Sequence, residues 1–294
     1  MKAAPFEYSR PANIDEACAL LAADDGARVI AGGQTLVPMM AMRLARPSRL
    51  VDIGRIGALS YIRDDGDGIA IGATTRQQSV ERSGLIAERL PLLAKMMPWI
   101  GHTATRARGT VGGSLANADP AAELELAAIT LDATLTYRLA GKSVDTPASE
   151  FFLGAMTTAL PAGACLAAVR FPAWPEHRIG TGFHEVSARR SDFAFASAAA
   201  QVAVDEDGTC RRIAVGVGAV TESPLRLLEV ERQLTGTRLE DSKVRDVVRG
   251  ALADIETMSD LHATADYRRR VAAKLAMRAI LDAGAECKAK SHAH

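Results

Sequence analysis

The chain has 294 residues, of which 48% are hydrophobic, and its 35 Lys and Arg residues balance 35 Asp and Glu residues. This length exceeds what one small core needs, so we expect two domains or one large composite domain. The zero net charge argues against a protein that clamps nucleic acid, and the hydrophobic content argues against disorder. No apolar run approaches the roughly 20 residues that span a bilayer, and the first residues contain no signal-peptide core, so we expect a cytoplasmic protein without a membrane span.

The N-terminal part alternates short strands with helices. A helix is predicted to begin at Asn13, where Glu16 completes a capping box, and to end at Gly26. Apolar runs bounded by glycine and turn residues predict the other elements. These are strands at 6–8, 27–31 and 50–53, an apolar stretch at 36–44, and a hairpin of 61–63 with 68–71.

The middle of the chain continues this mixture of strands and helices, and Pro172 and Pro175 mark a break in secondary structure at its end. Its predicted elements are a helix at 86–97, a polar loop at 101–109, a helix at 121–131, a hairpin of 133–139 with 142–144, and a strand at 166–171. Beyond it we predict three antiparallel strands and then three helices. Their ranges are 183–187, 194–204 and 212–220 for the strands, and 225–234, 242–255 and 264–283 for the helices. Strands followed by helices are typical of an α+β fold, so we divide the chain into 1–175 and 176–294.

Four cysteines, Cys18, Cys165, Cys210 and Cys287, lie far apart in the sequence. None forms a Cys-x-x-Cys pair, and no two histidines of the folded body have the spacing of helical metal ligands. We therefore expect buried thiols and no metal site, iron–sulfur cluster or disulfide framework in this chain. The tail 291–294 is predicted to fray and to have no metal role.

Two Gly-Gly segments are followed by hydroxyl residues: Gly32-Gly33-Gln34-Thr35, and Thr110-Val111-Gly112-Gly113-Ser114. Glycines let consecutive backbone N–H groups point the same way and form a nest for an anion. One such turn alone favours an ordinary strand-to-helix connection, whereas two with matching chemistry could hold a pyrophosphate from both sides. The chain has no Gly-x-x-x-x-Gly-Lys phosphate loop and no Gly-x-Gly-x-x-Gly fingerprint, so a dinucleotide site here is not of the Rossmann type.

Catalytic signatures are weak. The chain has no Gly-x-Ser-x-Gly nucleophile elbow, and no Ser-His-Asp set can be assembled from spacing. His184 lies within a predicted strand, where a histidine is usually structural. Arg268-Arg269-Arg270 is interpreted as a solvated helix face with one ion-paired member. We therefore predict no catalytic residue in this chain.

At the two Gly-Gly segments the sequence resembles the FAD-binding medium subunit of heterotrimeric molybdenum hydroxylases, the family of aerobic carbon monoxide dehydrogenase and xanthine dehydrogenase. The matching runs, in the same order along the chain, are 29–36, 106–123, 188–194 and 260–268. The resemblance implies a PCMH-type FAD-binding domain over 1–175, with α+β subdomains at about 1–57 and 58–175. It also implies a C-terminal α+β domain over 176–294, with a three-stranded antiparallel sheet and helices.

The resemblance further implies the cofactor-binding residues. The two Gly-Gly segments would hold the FAD pyrophosphate, Asn117 and Glu123 would lie along the ribityl or ribose side, and Leu160 would pack on the isoalloxazine. Relatives usually have Asp at Glu123, Lys or Tyr at His184, and in some cases an aromatic residue at Ile100. The expected site residues are Val29, Ile30, Ala31, Gly32, Gly33, Gln34, Thr35, Leu36, Ile100, Thr110, Val111, Gly112, Gly113, Ser114, Asn117, Glu123, Leu160 and His184.

The function implied by the resemblance is electron transfer by an oxidoreductase subunit. A large molybdenum-cofactor subunit and a small [2Fe–2S] subunit would be its partners, in a dimer of heterotrimers, and FAD would pass electrons to an external acceptor. The alternatives are a standalone flavoprotein acting directly on a small substrate, with His184 as its one acid–base candidate, and a cofactor-free assembly subunit. The substrate of the complex and its electron acceptor stay open.

Overall fold

The computed structural model describes residues 2–291. Its N-terminal part is a small parallel sheet of order β1-β3-β2 with two helices. The Asn13 side chain accepts the Glu16 N–H at 2.9 Å, which confirms the predicted helix start. The elements are β1 (Glu7–Ser9), α1 (Ile14–Ala22), β2 (Arg28–Ile30), α2 (Leu36–Ala41) and β3 (Arg49–Asp52).

The next part is an antiparallel five-stranded sheet of order β4-β5-β10-β6-β7, covered by short helices. Both predicted hairpins are present in it, as β4–β5 and β6–β7. The elements are β4 (Ile62–Asp64), β5 (Gly68–Gly72), α3 (Gln77–Glu81), α4 (Gly84–Arg89), α5 (Pro91–Met96), α6 (Thr103–Arg108), α7 (Val111–Asn117), α8 (Glu123–Thr130), β6 (Thr134–Leu139), β7 (Lys142–Pro147), α9 (Ala148–Phe151), β8 (Phe152–Gly154), β9 (Thr157–Thr158) and β10 (Cys165–Pro172).

Two predictions in this part are wrong. The helix expected at 86–97 is broken at Leu90, because Pro91 lacks an N–H and restricts the residue before it, so Pro91 begins a new helix. The polar loop expected at 101–109 contains α6. Arg106 of α6 is only 7% exposed and donates to the Glu81 carboxylate and to the carbonyl of Ile100, which fixes the helix in place.

The C-terminal part is an antiparallel sheet of order β11-β12-β13-β14, packed against a long helix. The elements are β11 (Ile179–Ser187), β12 (Ala194–Val204), β13 (Cys210–Gly218), β14 (Leu225–Arg226), α10 (Leu228–Leu234), α11 (Asp241–Ala253) and α12 (Ala265–Ser291). The predicted α+β class is confirmed. The short strand β14 adds a fourth strand where a helix start was predicted, because Leu225 and Arg226 pair with β13.

Contacts between the middle and C-terminal parts fix helix α5 against the C-terminal sheet. Lys95 on α5 donates to the Thr181 carbonyl of β11 at 2.5 Å and to the Glu286 carboxylate of α12 at 2.7 Å. The Trp99 and Phe183 rings meet edge to face with centroids 5.5 Å apart. These contacts bring β11 next to the segments that carry the second Gly-Gly pair.

Several buried side chains bear on the sequence interpretation. Arg268 is 2% exposed and donates to the carbonyls of Phe195 and Ala219, so it is not part of a solvated face as expected. All four cysteines are buried free thiols. Within residues 2–291 no group of His, Cys, Asp and Glu could hold a metal, and no helix is long and apolar enough to cross a membrane. Residues 292–294 of the tail lie outside the described residues.

Candidate functional site

A cleft of about 910 Å³ lies between the N-terminal parallel sheet, the α6–α7 region and the segment after β9. This volume is at the upper end of the range for small-molecule sites. All the predicted site residues line the cleft except Val111, which is fully buried in the core, and His184. The fold therefore brings together residues that are up to about 130 positions apart in the sequence.

The first Gly-Gly segment forms an open row of backbone N–H donors that line the cleft. It connects β2 to α2, and Gly33 has a φ of +70°, a left-handed conformation that favours glycine. Among the described residues, no acceptor bonds the backbone N–H groups of Gly32, Gly33, Gln34 or Thr35. Unpaired N–H groups at the start of a helix form an anion nest. This segment can thus bind an anionic group through its backbone.

The second Gly-Gly segment has a different role from the one expected, because its backbone donors are already bonded. Val111 donates to the Thr75 carbonyl at 3.0 Å, Gly112 to the Ala73 carbonyl at 2.9 Å, and Gly113 to the Thr110 hydroxyl at 3.1 Å. The segment is the capped first turn of α7 and not an open nest. The expectation of two backbone nests facing each other is therefore corrected to one.

Close packing explains the glycines of the second segment. A Cβ on Gly112 would fall 2.5 Å from the Cβ of Ala73, so only glycine lets α7 lie against the end of β5. The Thr110 hydroxyl accepts from Gly113 and keeps its own hydrogen for a ligand. The segment thus presents a hydroxyl to the cleft in place of backbone amides.

The cleft has little positive charge. Among the described residues that line it, Arg28 is the one basic side chain, and its guanidinium donates to the carbonyls of Asp25 and Ala27. An anion bound here would be held by neutral N–H and O–H donors, which agrees with the lack of a lysine in either Gly-Gly segment.

Two carboxyl groups, of the half-buried Glu123 and the fully buried Glu125, lie at one end of the cleft at the start of α8. Burial raises the pKa of Glu123 to about 7, with the Asp119 charge adding to the effect and Arg106 opposing it. Burial also raises the pKa of Glu125 to about 8, and the Ser114 hydroxyl donates to its oxygens at 3.2 and 3.3 Å. The Glu125 carboxyl group therefore lies directly behind Ser114, a residue that lines the cleft.

The strand β11 places Glu185, and not His184, on the side that faces the Glu123 carboxyl group. Successive strand residues alternate between faces. His184 shares the face of Gly180 and Gly182 that packs on α12, and its Nε2 lies 2.8 Å from the Asp282 carboxylate. Hence the structure does not bring His184 to the cleft wall.

Glu185 lies on the opposite face of β11 from α12, towards the middle part of the chain. Neither of its carboxyl oxygens has a hydrogen-bond partner among the described residues. Burial raises its pKa to about 8, and the Glu123 charge contributes. Glu185 is not among the site residues predicted from the sequence, because its burial depends on the packing of β11 against the preceding part of the chain.

The cleft includes further residues that sequence reasoning did not select. Ser191, Asp192 and Phe193 line its mouth, and the Phe193 ring is 68% exposed. They belong to the run 188–194, which carried the family resemblance but supplied no predicted site residue. An aromatic side chain held in solvent at the rim of a cleft is available to stack on a planar ligand.

Comparison with known proteins identifies the two parts of the chain. Residues 4–174 match the family model described as the FAD binding domain in molybdopterin dehydrogenase. Residues 181–283 match the model of the CO dehydrogenase flavoprotein C-terminal domain. The chain is 36% identical to the 6-hydroxypseudooxynicotine dehydrogenase complex subunit alpha of Paenarthrobacter nicotinovorans, over 92% of each protein.

Solved structures give the same result. A chain of carbon monoxide dehydrogenase from Hydrogenophaga pseudoflava superposes with a TM-score of 0.93 at 32% identity, covering 98% of this chain and 100% of that one. Quinoline 2-oxidoreductase from Pseudomonas putida 86 gives a TM-score of 0.92 at 32% identity, covering 98% and 99%. The chain therefore belongs to the family of FAD-binding medium subunits of molybdopterin dehydrogenases, as the resemblance predicted.

Proposed function

We propose that this chain binds FAD in the 910 Å³ cleft and transfers electrons within a molybdenum hydroxylase complex. It would take them from the [2Fe–2S] clusters of a small partner subunit and pass them to an external acceptor. A large subunit with the molybdenum cofactor would oxidise the substrate, in a dimer of heterotrimers. The names of relatives support a complex: one is a dehydrogenase complex subunit alpha, and another is the nicotine 6-hydroxylase medium subunit.

The observation that carries the proposal is the open row of N–H donors from Gly32 to Thr35 on the cleft wall. A pyrophosphate needs several convergent donors, and a neutral nest supplies them without a basic side chain. The cleft also offers apolar surface for a flat ring, from Ile100, Leu160 and Phe193. The residues present therefore fit FAD.

Each group of cleft residues then has a role. The nest would hold the pyrophosphate, the Thr110 hydroxyl would donate to the same region, and Leu160 and Phe193 would hold the isoalloxazine and exclude water from it. When bound, FAD supplies a redox centre that exchanges electrons one or two at a time. Glu123, whose pKa is raised to about 7, can hold or release a proton at the cleft end near neutral pH.

The test compares two glycines with the same backbone conformation. Gly33 and Gly66 both have left-handed φ angles, +70° and +85°, but Gly66 lies in the β4–β5 turn and a Cβ there would meet nothing within 4 Å. Alanine at either position costs roughly 1–2 kcal/mol of backbone strain. Purified wild type should be yellow, with one FAD per chain by absorbance. Gly33→Ala should weaken FAD binding at least about tenfold by displacing the nest, while Gly66→Ala should keep the wild-type affinity.

Two results would contradict the proposal. One is a wild-type chain that is colourless and cannot be reconstituted with FAD, which would favour a cofactor-free assembly subunit. The other is an equal loss of affinity in both glycine variants, because the effect would then be one of stability alone.

A standalone flavoprotein acting on a small substrate is less well supported. Its one acid–base candidate, His184, faces α12 and pairs with Asp282 instead of lining the cleft. Reduction of the purified chain by a small substrate in the absence of partner subunits would nevertheless establish that activity.

A further inference from the structure

A second groove, which shares no residue with the FAD cleft, lies between α11 and α12 in the C-terminal domain. Its volume is about 520 Å³. Leu252 and Ala253 of α11 and Ala273 and Met277 of α12 give it an apolar floor. The six residues of α12 that line it, from Asp266 to Met277, span about 16 Å of helix, which is three turns.

Basic side chains line both rims of this groove. Arg245 and Arg249 stand four residues apart on α11, and Arg270 and Lys274 stand four residues apart on α12. Residues four apart on a helix are neighbours, so the like charges of each pair repel each other. The chain as a whole is neutral, but residues 265–281 of α12 carry five basic side chains and one acidic one.

Most of these charges are not neutralised within the chain. Arg249, Arg270 and Lys274 form no ion pair with any residue in the described range 2–291. Arg270 instead lies over the Tyr267 ring, 5.8 Å from its centroid. Arg245 is paired with Asp241, so the groove keeps one unpaired cation on α11 and two on α12. An apolar floor between these three cations favours a ligand that is apolar on one face and acidic on both flanks.

We propose that the groove between α11 and α12 binds an acidic amphipathic helix of a partner subunit. Its apolar face would cover Ala273 and Met277, and its carboxylates would pair with Arg249, Arg270 and Lys274, as in other helix-in-groove interfaces. A small inorganic anion would leave the floor uncovered. That the partner is a subunit of the same complex rests on the proposed function, whereas the chemistry of the groove does not.

The first test uses a peptide and a matched pair of charge reversals. The probe is a fluorescein-labelled helical peptide of roughly 14 residues with Leu on one face and Glu on both flanks, and its control has Lys in place of Glu. Arg249→Glu/Lys274→Glu reverses one rim cation on each helix. Lys243→Glu/Arg278→Glu makes the same change on the same helices at two exposed residues that do not line the groove.

Fluorescence anisotropy should show binding of the acidic peptide to the wild-type chain, weakened by added salt. The groove variant should bind it at least about tenfold more weakly, and the control variant as well as wild type. Equal binding by both variants, or equal binding of the Lys peptide, would overturn the proposal. FAD content measured on the same samples should not change in either variant, which separates this test from that of the proposed function.

The second test uses the complex purified through a tag on this chain. Acetylation of Lys274 should be several-fold slower in the complex than in the isolated chain, while Lys243 should react equally in both. Zero-length carbodiimide coupling should join Lys274 to an Asp or Glu of a co-purifying subunit. An equally reactive Lys274 in both samples would overturn the proposal, and so would self-association of the isolated chain that the groove variant abolishes.

Discussion

The carboxyl group of Glu125 offers a direct test of the buried acidic cluster behind the cleft. Glu125 is fully buried on α8, and burial raises its pKa from 4.5 to about 8. At pH values between these two pKa values, the folded chain therefore holds a proton that the unfolded chain has released. The contribution of Glu125 to the free energy of unfolding is fully present below the pKa of the unfolded chain. It is lost as the pH rises, at ~1.4 kcal/mol per pH unit, until the pH passes the pKa of the folded chain.

Glu125→Gln keeps the shape of the side chain and removes this titration. From about pH 5.5 to about pH 7.5, wild type should lose ~2.7 kcal/mol through Glu125 alone, and the variant should be spared that loss. The measurement is urea unfolding followed by the fluorescence of Trp99 and Trp174 across this range. The difference in free energy of unfolding between variant and wild type should grow with pH.

The control is Glu88→Gln, which changes an exposed carboxyl on α4. Its effect on the unfolding free energy at pH 7.5 should be much smaller than that of Glu125→Gln. A constant difference between Glu125→Gln and wild type across the range would refute the reasoning, because it would mean that Glu125 ionises alike in the folded and unfolded chains.

Three further predictions concern the cleft and the C-terminal domain. Gly32→Ala should weaken FAD binding at least about tenfold in a fluorescence titration, because its Cβ would lie 2.5 Å from the Arg108 carbonyl oxygen and would push the nest away from α6. Phe193→Ser should raise the FAD dissociation constant roughly threefold to tenfold while leaving the melting temperature unchanged, since the ring is 68% exposed and contributes mainly to the ligand. An unchanged FAD affinity would exclude stacking. Arg268→Met should destabilise the chain by roughly 2–4 kcal/mol in urea, because it leaves the buried carbonyl of Ala219 and the part-buried carbonyl of Phe195 without their donor. A loss below ~1 kcal/mol would show that water replaces the guanidinium.

Local signals in the sequence were sufficient where the chain's own neighbours decide the structure. Asn13 caps α1, and the turn at 65–68 joins β4 to β5, because both depend on hydrogen bonds within a few residues. The division into 1–175 and 176–294 stays a prediction.

The sequence by itself determined the α+β class and the family, because composition, turn chemistry and motif order are encoded locally. Only the tertiary structure decided which donors remain free. The N–H groups of Gly112 and Gly113 donate to the Ala73 carbonyl and the Thr110 hydroxyl. The sequence of a segment cannot show whether a distant carbonyl accepts from its N–H groups. The strand alternation of β11 likewise turned Glu185, and not His184, towards the FAD-binding part. Burial and charge at such positions depend on which elements pack against them, and that is a property of the whole fold.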